Sequence, residues 1–289
     1  MKAGRSRGRG SAPRPVVLKL GGELLEEPGR AQAVAAAIAG LSSDPLVVVH
    51  GGGKDIDAAM ARAGISRRQV DGLRVTDEAT LEVVVAVLAG TVNTRLVAGV
   101  GAAGGAAVGL TAADAGVSLV EKAAPHVTAD GTRVDLGRVG IPVDDGPPQL
   151  LLDLCRHGYV PIVASIGAGR SGELYNVNAD TLAAHLAAAV GATRLVIAGG
   201  TAGVLDTDGT TIPRLDLGGI DDVIAAGTAT AGMIAKLSAC RDAVRRGVSE
   251  VLITSGHDLA AVAALVREGR RSGGSGYTVI EQEHRQKPS

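Results

Sequence analysis

Three glycine clusters each follow directly on a short run of aliphatic, mostly β-branched residues. The runs with their clusters are 16–20 with Gly21 and Gly22, 46–50 with Gly51 to Gly53, and 195–198 with Gly199 and Gly200. Such runs predict buried strands, and ligands of an open α/β sheet bind beyond the carboxyl ends of its strands. Glycine there lets backbone N–H groups approach an anion closely. The pattern therefore predicts an α/β fold whose strand ends hold phosphate or carboxylate groups.

Strand-like runs alternate with Ala- and Leu-rich helical patterns along most of the chain. The predicted buried strands are 16–20, 46–50, 160–164, 195–198 and 251–254, and the predicted helices are 32–41, 56–63, 77–100, 149–157, 180–190 and 233–246. This alternation is typical of βαβ units whose parallel sheet is covered on both faces. We therefore predict a three-layer αβα sandwich around a mainly parallel open sheet.

Two segments interrupt this alternation. Residues 107–146 contain short strand-like pieces around turn signals such as Asp130-Gly131, which predicts a β-hairpin insertion. Residues 166–178 are rich in glycine and polar residues and are interpreted as a loop between two lobes. The predicted organisation is a disordered basic arm at 1–15, lobes at 16–165 and 166–283, and a tail at 284–289.

Composition excludes several classes of protein. With 46% apolar residues the chain can build a core, and its formal charge of −1 gives no field that attracts nucleic acid or an anionic membrane. Cys155 and Cys240 are the only cysteines, which leaves no disulfide framework or four-thiolate zinc site. The N-terminal residues lack the apolar run of a signal peptide, and the uncharged stretch 96–113 contains five glycines. We therefore expect a cytoplasmic protein without a membrane span.

Two common nucleotide motifs do not fit this chain. The phosphate-loop consensus GxxxxGK[ST] is absent. Residues 99–104 spell GxGxxG, but they follow a helical pattern, whereas a dinucleotide site needs the motif after a strand. NAD binding stays open as an alternative, and chance spacing in a glycine-rich chain is the simpler interpretation.

Three charged residues are candidates for chemistry. Lys19 lies in the first predicted strand beside its glycine pair, although lysine is rarely buried without a partner. Lys236 lies in the first turn of its helix if that helix begins near Gly232, and a bound anion would offset the unfavourable dipole there. Asp180 either caps its helix or holds both lysines aimed at one point. The alternative for each lysine is a solvated side chain.

Arg74 and His50 are more ambiguous. Arg74 offers a planar guanidinium suited to a substrate carboxylate, or it is a surface arginine. His50 ends a strand and is interpreted as a hydrogen-bonded structural side chain rather than as an acid or base. The other histidines show no metal-ligand spacing, so no metal-binding residues are predicted.

Seven strings of residues between 16 and 282 occur in a diagnostic order. They are VVLKLGG, VVVHGGGKDID, DGLRVTDEATLEVVVAVLAGTVN, VDLGRVG, GYVPIVASIG, YNVNAD and GMIAKLSACRDAVRRGV. Together they resemble the amino acid kinase family, and GLRVT with YNVNAD resembles its branch that acts on N-acetyl-L-glutamate. The resemblance implies phosphoryl transfer from ATP with Mg²⁺ to the side-chain carboxylate of that substrate. Such a carboxylate is already ionised near neutral pH, so catalysis depends on positioning and charge neutralisation.

The same resemblance implies a role for each candidate. Lys19 and Lys236 stabilise charge on the transferred phosphoryl group, and Asp180 orients them. The implied phosphate- and nucleotide-binding residues are Gly21, Gly22, Gly199 and Gly200, and the implied substrate-binding residues are Gly52, Gly53, Arg74 and Asn176. The first lobe is expected to bind the amino acid and the second the nucleotide, with Mg²⁺ held mainly by phosphate oxygens.

The chain also departs from the family pattern. The nucleotide loop reads AGGTAGVLD, without the usual acid before Asp206, and the usual GGMIPK is AGMIAK at 231–236. A regulatory binding subunit with a kinase fold therefore remains an alternative, and N-succinylglutamate or a carrier-linked aminoadipate remain alternative acceptors. About fifteen residues precede the first strand, too few for the extra N-terminal helix of arginine-inhibited hexamers. The resemblance thus implies a homodimer that is insensitive to arginine.

Overall fold

The computed structural model describes residues 14–128, 130–227, 229–270 and 275–282. Most of the basic arm predicted at 1–15 and all of the tail predicted at 284–289 lie outside the described residues. In chain order the strands are β1 (Val16–Leu20), β2 (Leu46–His50), β3 (Gln69–Val70), β4 (Leu73–Arg74), β5 (Ala107–Thr111), β6 (Val120–Lys122), β7 (His126–Val127), β8 (Arg133–Val134), β9 (Val139–Pro142), β10 (Val160–Ala164), β11 (Ile166–Ala168), β12 (Leu174–Val177), β13 (Arg194–Gly199), β14 (Arg214–Leu215), β15 (Val251–Ser255) and β16 (Tyr277–Ile280).

The helices fill the gaps between these strands. They are α1 (Pro28–Gly40), α2 (Gly53–Arg62), α3 (Glu78–Val85), α4 (Asn93–Ala102), α5 (Gln149–Arg156), α6 (Ala179–Ala189), α7 (Leu217–Ala225), α8 (Ala231–Arg245) and α9 (Leu259–Glu268). A π-helical segment, Ala86–Val92, joins α3 to α4. The helix predicted over 77–100 is therefore one continuous helical stretch.

The main sheet has eight strands in the order β14-β16-β15-β13-β1-β2-β10-β5. All neighbours pair in parallel except β15 and β16. The five strands predicted from β-branched runs are all present, with ends that differ from the prediction by at most one residue. Helices pack on both faces of this sheet, which confirms the predicted αβα sandwich around a mainly parallel sheet.

Side chains of β1 alternate between two hydrophobic cores. Val17 belongs to the core that α6 and α8 cover, whereas Leu18 and Leu20 belong to the core that α1 and α9 cover. Because strand side chains alternate with a period of two, Lys19 shares the face of Val17. The sequence of β1 thus directs one lysine toward α6 and α8.

The region predicted as a hairpin insertion at 107–146 needs two corrections. Its first part, Ala107–Thr111, is β5, which pairs with β10 and forms an edge of the main sheet. The hairpin itself is shorter and consists of β7 and β8.

The segment 166–178, predicted as a loop, contains β11 and β12. Together with β6 and β9, these strands form a second sheet in the order β11-β12-β9-β6. Buried Tyr175 and Val177 pack into the core under α6 and α8, and buried Ile166 packs into the core under α1 and α9, so this segment is an integral part of the fold.

The helical stretch Glu78–Ala102 is long and apolar enough to cross a membrane by length and composition alone, and 39% of its most apolar window is buried in the fold. Val84 and Leu88 on this stretch pack in the core beneath the main sheet. Core helices of soluble proteins meet the same criterion, so this single stretch is weak evidence for a membrane span.

Candidate active site

The glycine clusters after β1, β2 and β13 lie together at the carboxyl ends of these strands, because β1 pairs in parallel with both of the other strands. A Cβ added at Gly22 would lie 2.9 Å from Gly52 Cα and 3.0 Å from Gly53 N. Only glycine permits this approach of two backbones. The first two clusters therefore form one continuous surface of backbone groups.

Lys19 and Asp180 form a buried ion pair at the same end of the sheet, with Lys19 Nζ 2.8 Å from Asp180 Oδ1. The two residues are 7% and 8% exposed. Burial raises the pKa of the Asp180 carboxyl, but the charges of Lys19 and Lys236 and the hydrogen bond from Lys19 outweigh burial, so the net shift is downward. Asp180 is therefore an anion that interacts with two cations.

Helix α6 is capped by Asn178, whose Oδ1 accepts hydrogen bonds from the backbone N–H groups of Asp180 and Thr181. The interpretation of Asp180 as the capping residue is therefore wrong. Because Asn178 caps the helix, the Asp180 carboxylate is left to pair with lysine.

Lys236 lies in the second turn of α8, whereas the sequence predicts a place in the first turn. The helix begins at Ala231, and its N-cap Thr230 accepts a hydrogen bond from the Met233 N–H. The argument from the helix dipole is correspondingly weaker at Lys236, because that effect falls off beyond the first turn. The side chain nevertheless reaches the third glycine cluster, since a Cβ at Gly199 would lie 3.2 Å from Lys236 Nζ.

A cavity of about 260 Å³ opens beside the ion pair. The predicted site residues that line this cavity are Lys19, Gly22, Gly52, Gly53, Arg74, Asn176 and Asp180. The remaining ones, Gly21, Gly199, Gly200 and Lys236, are not part of its lining and group around the loops after β1 and β13. The site thus has two parts, which meet at Lys19 and Asp180.

Arg74 is held in the wall of the cavity. Its Nη2 lies 2.5 Å from Asp57 Oδ1 and donates to the Gly53 carbonyl at 3.3 Å. The other carboxylate oxygen of Asp57 lies 2.9 Å from Arg67 Nη1. The side chain of Arg74 is 9% exposed, which excludes the interpretation as a surface arginine.

Asn176 is held by a second set of contacts. Its Nδ2 donates to Thr76 Oγ1 at 3.1 Å, and the Thr76 hydroxyl donates in turn to the Arg74 carbonyl. Because Thr76 is fully buried, this chain of hydrogen bonds fixes Asn176 relative to the strand that carries Arg74.

His50 is a structural side chain, in agreement with the interpretation from sequence. Its Nδ1 donates to the Gly51 carbonyl at 3.1 Å, and its Nε2 accepts from Asn93 Nδ2 at 3.0 Å. Burial lowers the pKa of His50 to about 4, with a smaller opposing effect from the Gly51 hydrogen bond. The imidazole is therefore neutral at physiological pH.

Sequence reasoning missed three residues of this region. Ser165 and Asn178 line the cavity. Asn178 carried a usable signal, because Asn two residues before a helical Asp is a typical N-cap. Glu23 carried no signal, since its place beside Gly199 depends on the pairing of β1 with β13.

Within the described parts of the chain, no group of three or more His, Cys, Asp or Glu side chains could hold a metal ion. The residues present do fit a Mg²⁺ ion that accompanies a nucleotide. Phosphate oxygens supply most of its ligands in such sites, and the carboxylate of Glu23 lies at the glycine loops.

The fold and this two-part site define an α/β protein of the phosphoryl-transfer class, with two lysines and an aspartate between glycine loops and a cavity suited to a carboxylate. The model of the amino acid kinase family matches residues 14–255. The chain belongs to the amino acid kinase family, as its ordered motifs predict.

Two relatives of known name both come from one branch of this family. The chain is 44% identical over 242 residues to a protein of Methanopyrus kandleri named acetylglutamate kinase, covering 83% of this chain and 94% of that protein. It is 41% identical over 248 residues to the acetylglutamate kinase of Brucella abortus, covering 83% of each chain.

Solved structures share the architecture. N-acetylglutamate synthase from Neisseria gonorrhoeae, complexed with coenzyme A and N-acetyl-glutamate, matches with a TM-score of 0.76 and 26% identity over 93% of this chain. The chain spans 60% of the length of that synthase. A carbamate kinase from Giardia matches with a TM-score of 0.65 and 16% identity over 94% of this chain and 100% of its own, a likeness of fold alone.

Proposed function

We propose that this protein transfers the γ-phosphoryl group of ATP to the side-chain carboxylate of N-acetyl-L-glutamate, forming N-acetylglutamyl 5-phosphate and ADP in arginine biosynthesis. The observation that carries the proposal is the meeting of Lys19, Asp180 and Lys236 between the glycine loops and the cavity wall that contains Arg74. The curated relatives named acetylglutamate kinase support the choice of substrate.

The chemistry requires little beyond positioning. A carboxylate oxygen of the substrate attacks the γ-phosphorus, the bond from that phosphorus to the bridging oxygen breaks, and ADP leaves with the electron pair. The attacking group is already ionised near neutral pH, so no side chain has to remove a proton. Mg²⁺ bound to the phosphates would reduce their charge and so their repulsion of the carboxylate.

The two lysines of the site then share one task. The ammonium groups of Lys19 and Lys236 stabilise the charge that builds on the transferred group, and Asp180 keeps both in place. We propose that Gly21, Gly22, Gly199 and Gly200 surround the phosphates through their backbone groups. In this proposal the nucleotide belongs mainly to the lobe 166–283, which carries Gly199, Gly200 and Lys236.

The acceptor belongs to the lobe 16–165 in this proposal. The Arg74 guanidinium binds the α-carboxylate, and Asn176 and the backbone of Gly52 and Gly53 complete the pocket. Arg74 is engaged by Asp57, so the substrate carboxylate joins an arginine that is already oriented.

An ADP-release assay with purified protein, MgATP and N-acetyl-L-glutamate tests the function, with the acyl phosphate trapped by hydroxylamine as a second readout. Parallel measurements of kcat/KM with N-succinylglutamate and carrier-linked aminoadipate compare the related acceptors. We expect N-acetyl-L-glutamate to have the highest value. Binding of the amino acid without any turnover would instead favour a regulatory subunit.

We further propose that the protein is a cytoplasmic homodimer that arginine does not inhibit, following the family resemblance. Light scattering on a sizing column measures the mass in solution. Hexamers, or inhibition by millimolar arginine, would contradict the proposal.

A further inference from the structure

Glu23 brings a carboxylate to the part of the site that we assign to the phosphates. It lies in the single 3₁₀ turn Gly22–Leu24, directly after β1. A Cβ at Gly199 would lie 3.3 Å from Glu23 Oε1, and a Cβ at Gly200 would lie 3.6 Å from the same oxygen. The carboxylate also packs over the α-carbon of Gly21. It therefore lies above two glycine clusters at once.

Lys236 approaches the same point, since a Cβ added at Gly199 would lie 3.2 Å from its Nζ. The two opposite charges nevertheless do not form an ion pair within 4.0 Å. Among residues 14–128, 130–227, 229–270 and 275–282, no donor lies within hydrogen-bond distance of the Glu23 carboxylate. Glu26, three residues further along the chain, does have a partner, because its carboxylate lies 3.0 Å from Lys54 Nζ.

A free carboxylate at this place repels the phosphates of a nucleotide unless a cation lies between them. Mg²⁺ in nucleotide sites is bound by one or two carboxylates together with phosphate oxygens and water. We propose that the Glu23 carboxylate binds the divalent cation that accompanies the nucleotide, directly or through one metal-bound water. This inference rests on the proposed function, since it assumes that the glycine loops hold a triphosphate.

The donor set predicts when the cation binds. Glu23 is the single carboxylate at the point where Gly21, Gly199 and Gly200 meet in the described chain, and Lys236 beside it disfavours a bare cation. One carboxylate is too few ligands for Mg²⁺. We therefore expect the cation to bind only together with the nucleotide, and Mn²⁺ added alone to remain free by electron paramagnetic resonance.

Calorimetry with the non-hydrolysable analogue AMP-PNP tests the proposal on the full chain. For the wild type, we expect tighter binding with Mg²⁺ than with EDTA. Glu23→Gln should weaken binding of the Mg²⁺ complex by roughly tenfold, the usual effect of removing a metal-supporting side chain. In EDTA the same variant should bind AMP-PNP as well as the wild type or better, because a repulsive charge is gone. Glu26→Gln is the matched control and should leave both affinities unchanged.

A metal-specificity switch gives a second, independent measurement. Glu23→Cys should bind AMP-PNP weakly with Mg²⁺ and regain affinity with Cd²⁺, because a thiolate prefers a soft cation. The wild type should show no such preference for Cd²⁺.

The outcomes separate the two levels of inference. Equal weakening of Glu23→Gln with Mg²⁺ and with EDTA would overturn the metal role and leave a structural one. Tighter binding by Glu23→Gln under both conditions would overturn it in favour of a carboxylate that obstructs the phosphates. No binding of AMP-PNP to the wild type under either condition would overturn the proposed function itself.

Discussion

The ammonium group of Lys19, on the central strand β1, lies 2.8 Å from the Asp180 carboxylate at the start of α6. Lysine and aspartate are costly to bury singly, and a buried pair is retained when it holds charges in a defined geometry. Here the carboxylate also interacts with Lys236 from a third element, α8. One anion thus fixes two cations that come from distant parts of the chain.

Asp180→Asn keeps the size of the side chain but removes this anion. We expect kcat to fall by about 10²–10³-fold, as is typical when a preorganised charge is lost. Because Lys19 is left buried without its partner, the free energy of unfolding should also fall by about 3 kcal/mol. An ADP-release assay and urea unfolding measure the two effects. Asp153→Asn, which removes an exposed pair with Arg156, is the control, and a wild-type kcat in Asp180→Asn would contradict the role.

Lys236→Ala should lower kcat by about 10²–10³-fold. The KM for the acceptor should change little, because Lys236 does not line the acceptor cavity. Steady-state kinetics with each substrate varied separate the two parameters. Lys122→Ala, which removes an exposed ion pair with Asp135, is the control. A raised acceptor KM with unchanged kcat would contradict this role and indicate that Lys236 binds the acceptor instead.

Arg74→Ala should mainly raise the KM for the acceptor, by about 10- to 100-fold, since charge-assisted hydrogen bonds to a carboxylate would be lost. Arg67→Ala is a matched control, because Arg67 pairs with the same Asp57 but does not line the cavity. If both variants raised KM equally, the effect would come from the freed Asp57 and not from lost substrate contacts.

His50 makes stability depend on pH. Its pKa is about 4 in the folded protein and 6.5 in the unfolded chain, so the unfolded state binds more protons as pH falls below 6.5. The folded state is therefore favoured above pH 6.5, and at pH 5 the loss amounts to about 2 kcal/mol for this residue. Urea unfolding at pH 8 and pH 5 measures the difference.

Replacing His50 with Gln should remove that part of the pH dependence. The variant should also be less stable than the wild type at pH 8, because the new side chain packs differently at a buried position. His157→Gln changes an exposed histidine and serves as the control. A full wild-type pH dependence in His50→Gln would assign the acid sensitivity to other groups, such as buried His185, whose pKa burial also lowers to about 4.

The core of the fold could be predicted from local sequence because each central strand is a run of aliphatic, mostly β-branched residues, and a glycine cluster follows three of these runs. Once the two cores are known, period-two alternation also accounts for the face of β1 that carries Lys19. The segments 107–146 and 166–178 were harder to predict, since most of their strands are short and partly exposed, and several of them pair with strands distant in sequence. Patterns of burial are weakest in such strands.

The candidate site shows the same division. Lys19, Asp180 and the glycine loops were predictable from their positions at strand ends and helix starts. The pairing of Arg74 with Asp57 and the place of Glu23 depend on how three separate elements pack, which no local pattern encodes. The start of α8 was predicted at residues 232–233 but lies at Ala231, and Lys236 was therefore assigned to the first turn although it lies in the second.

Strand β1 pairs along all five residues with β2 on one side and with β13 on the other. A fragment that ended at residue 165 would therefore expose the whole length of β1 as a bare, apolar edge, open to pairing with another copy. Whichever ligand each half holds, we expect that neither half can be produced and studied without the other.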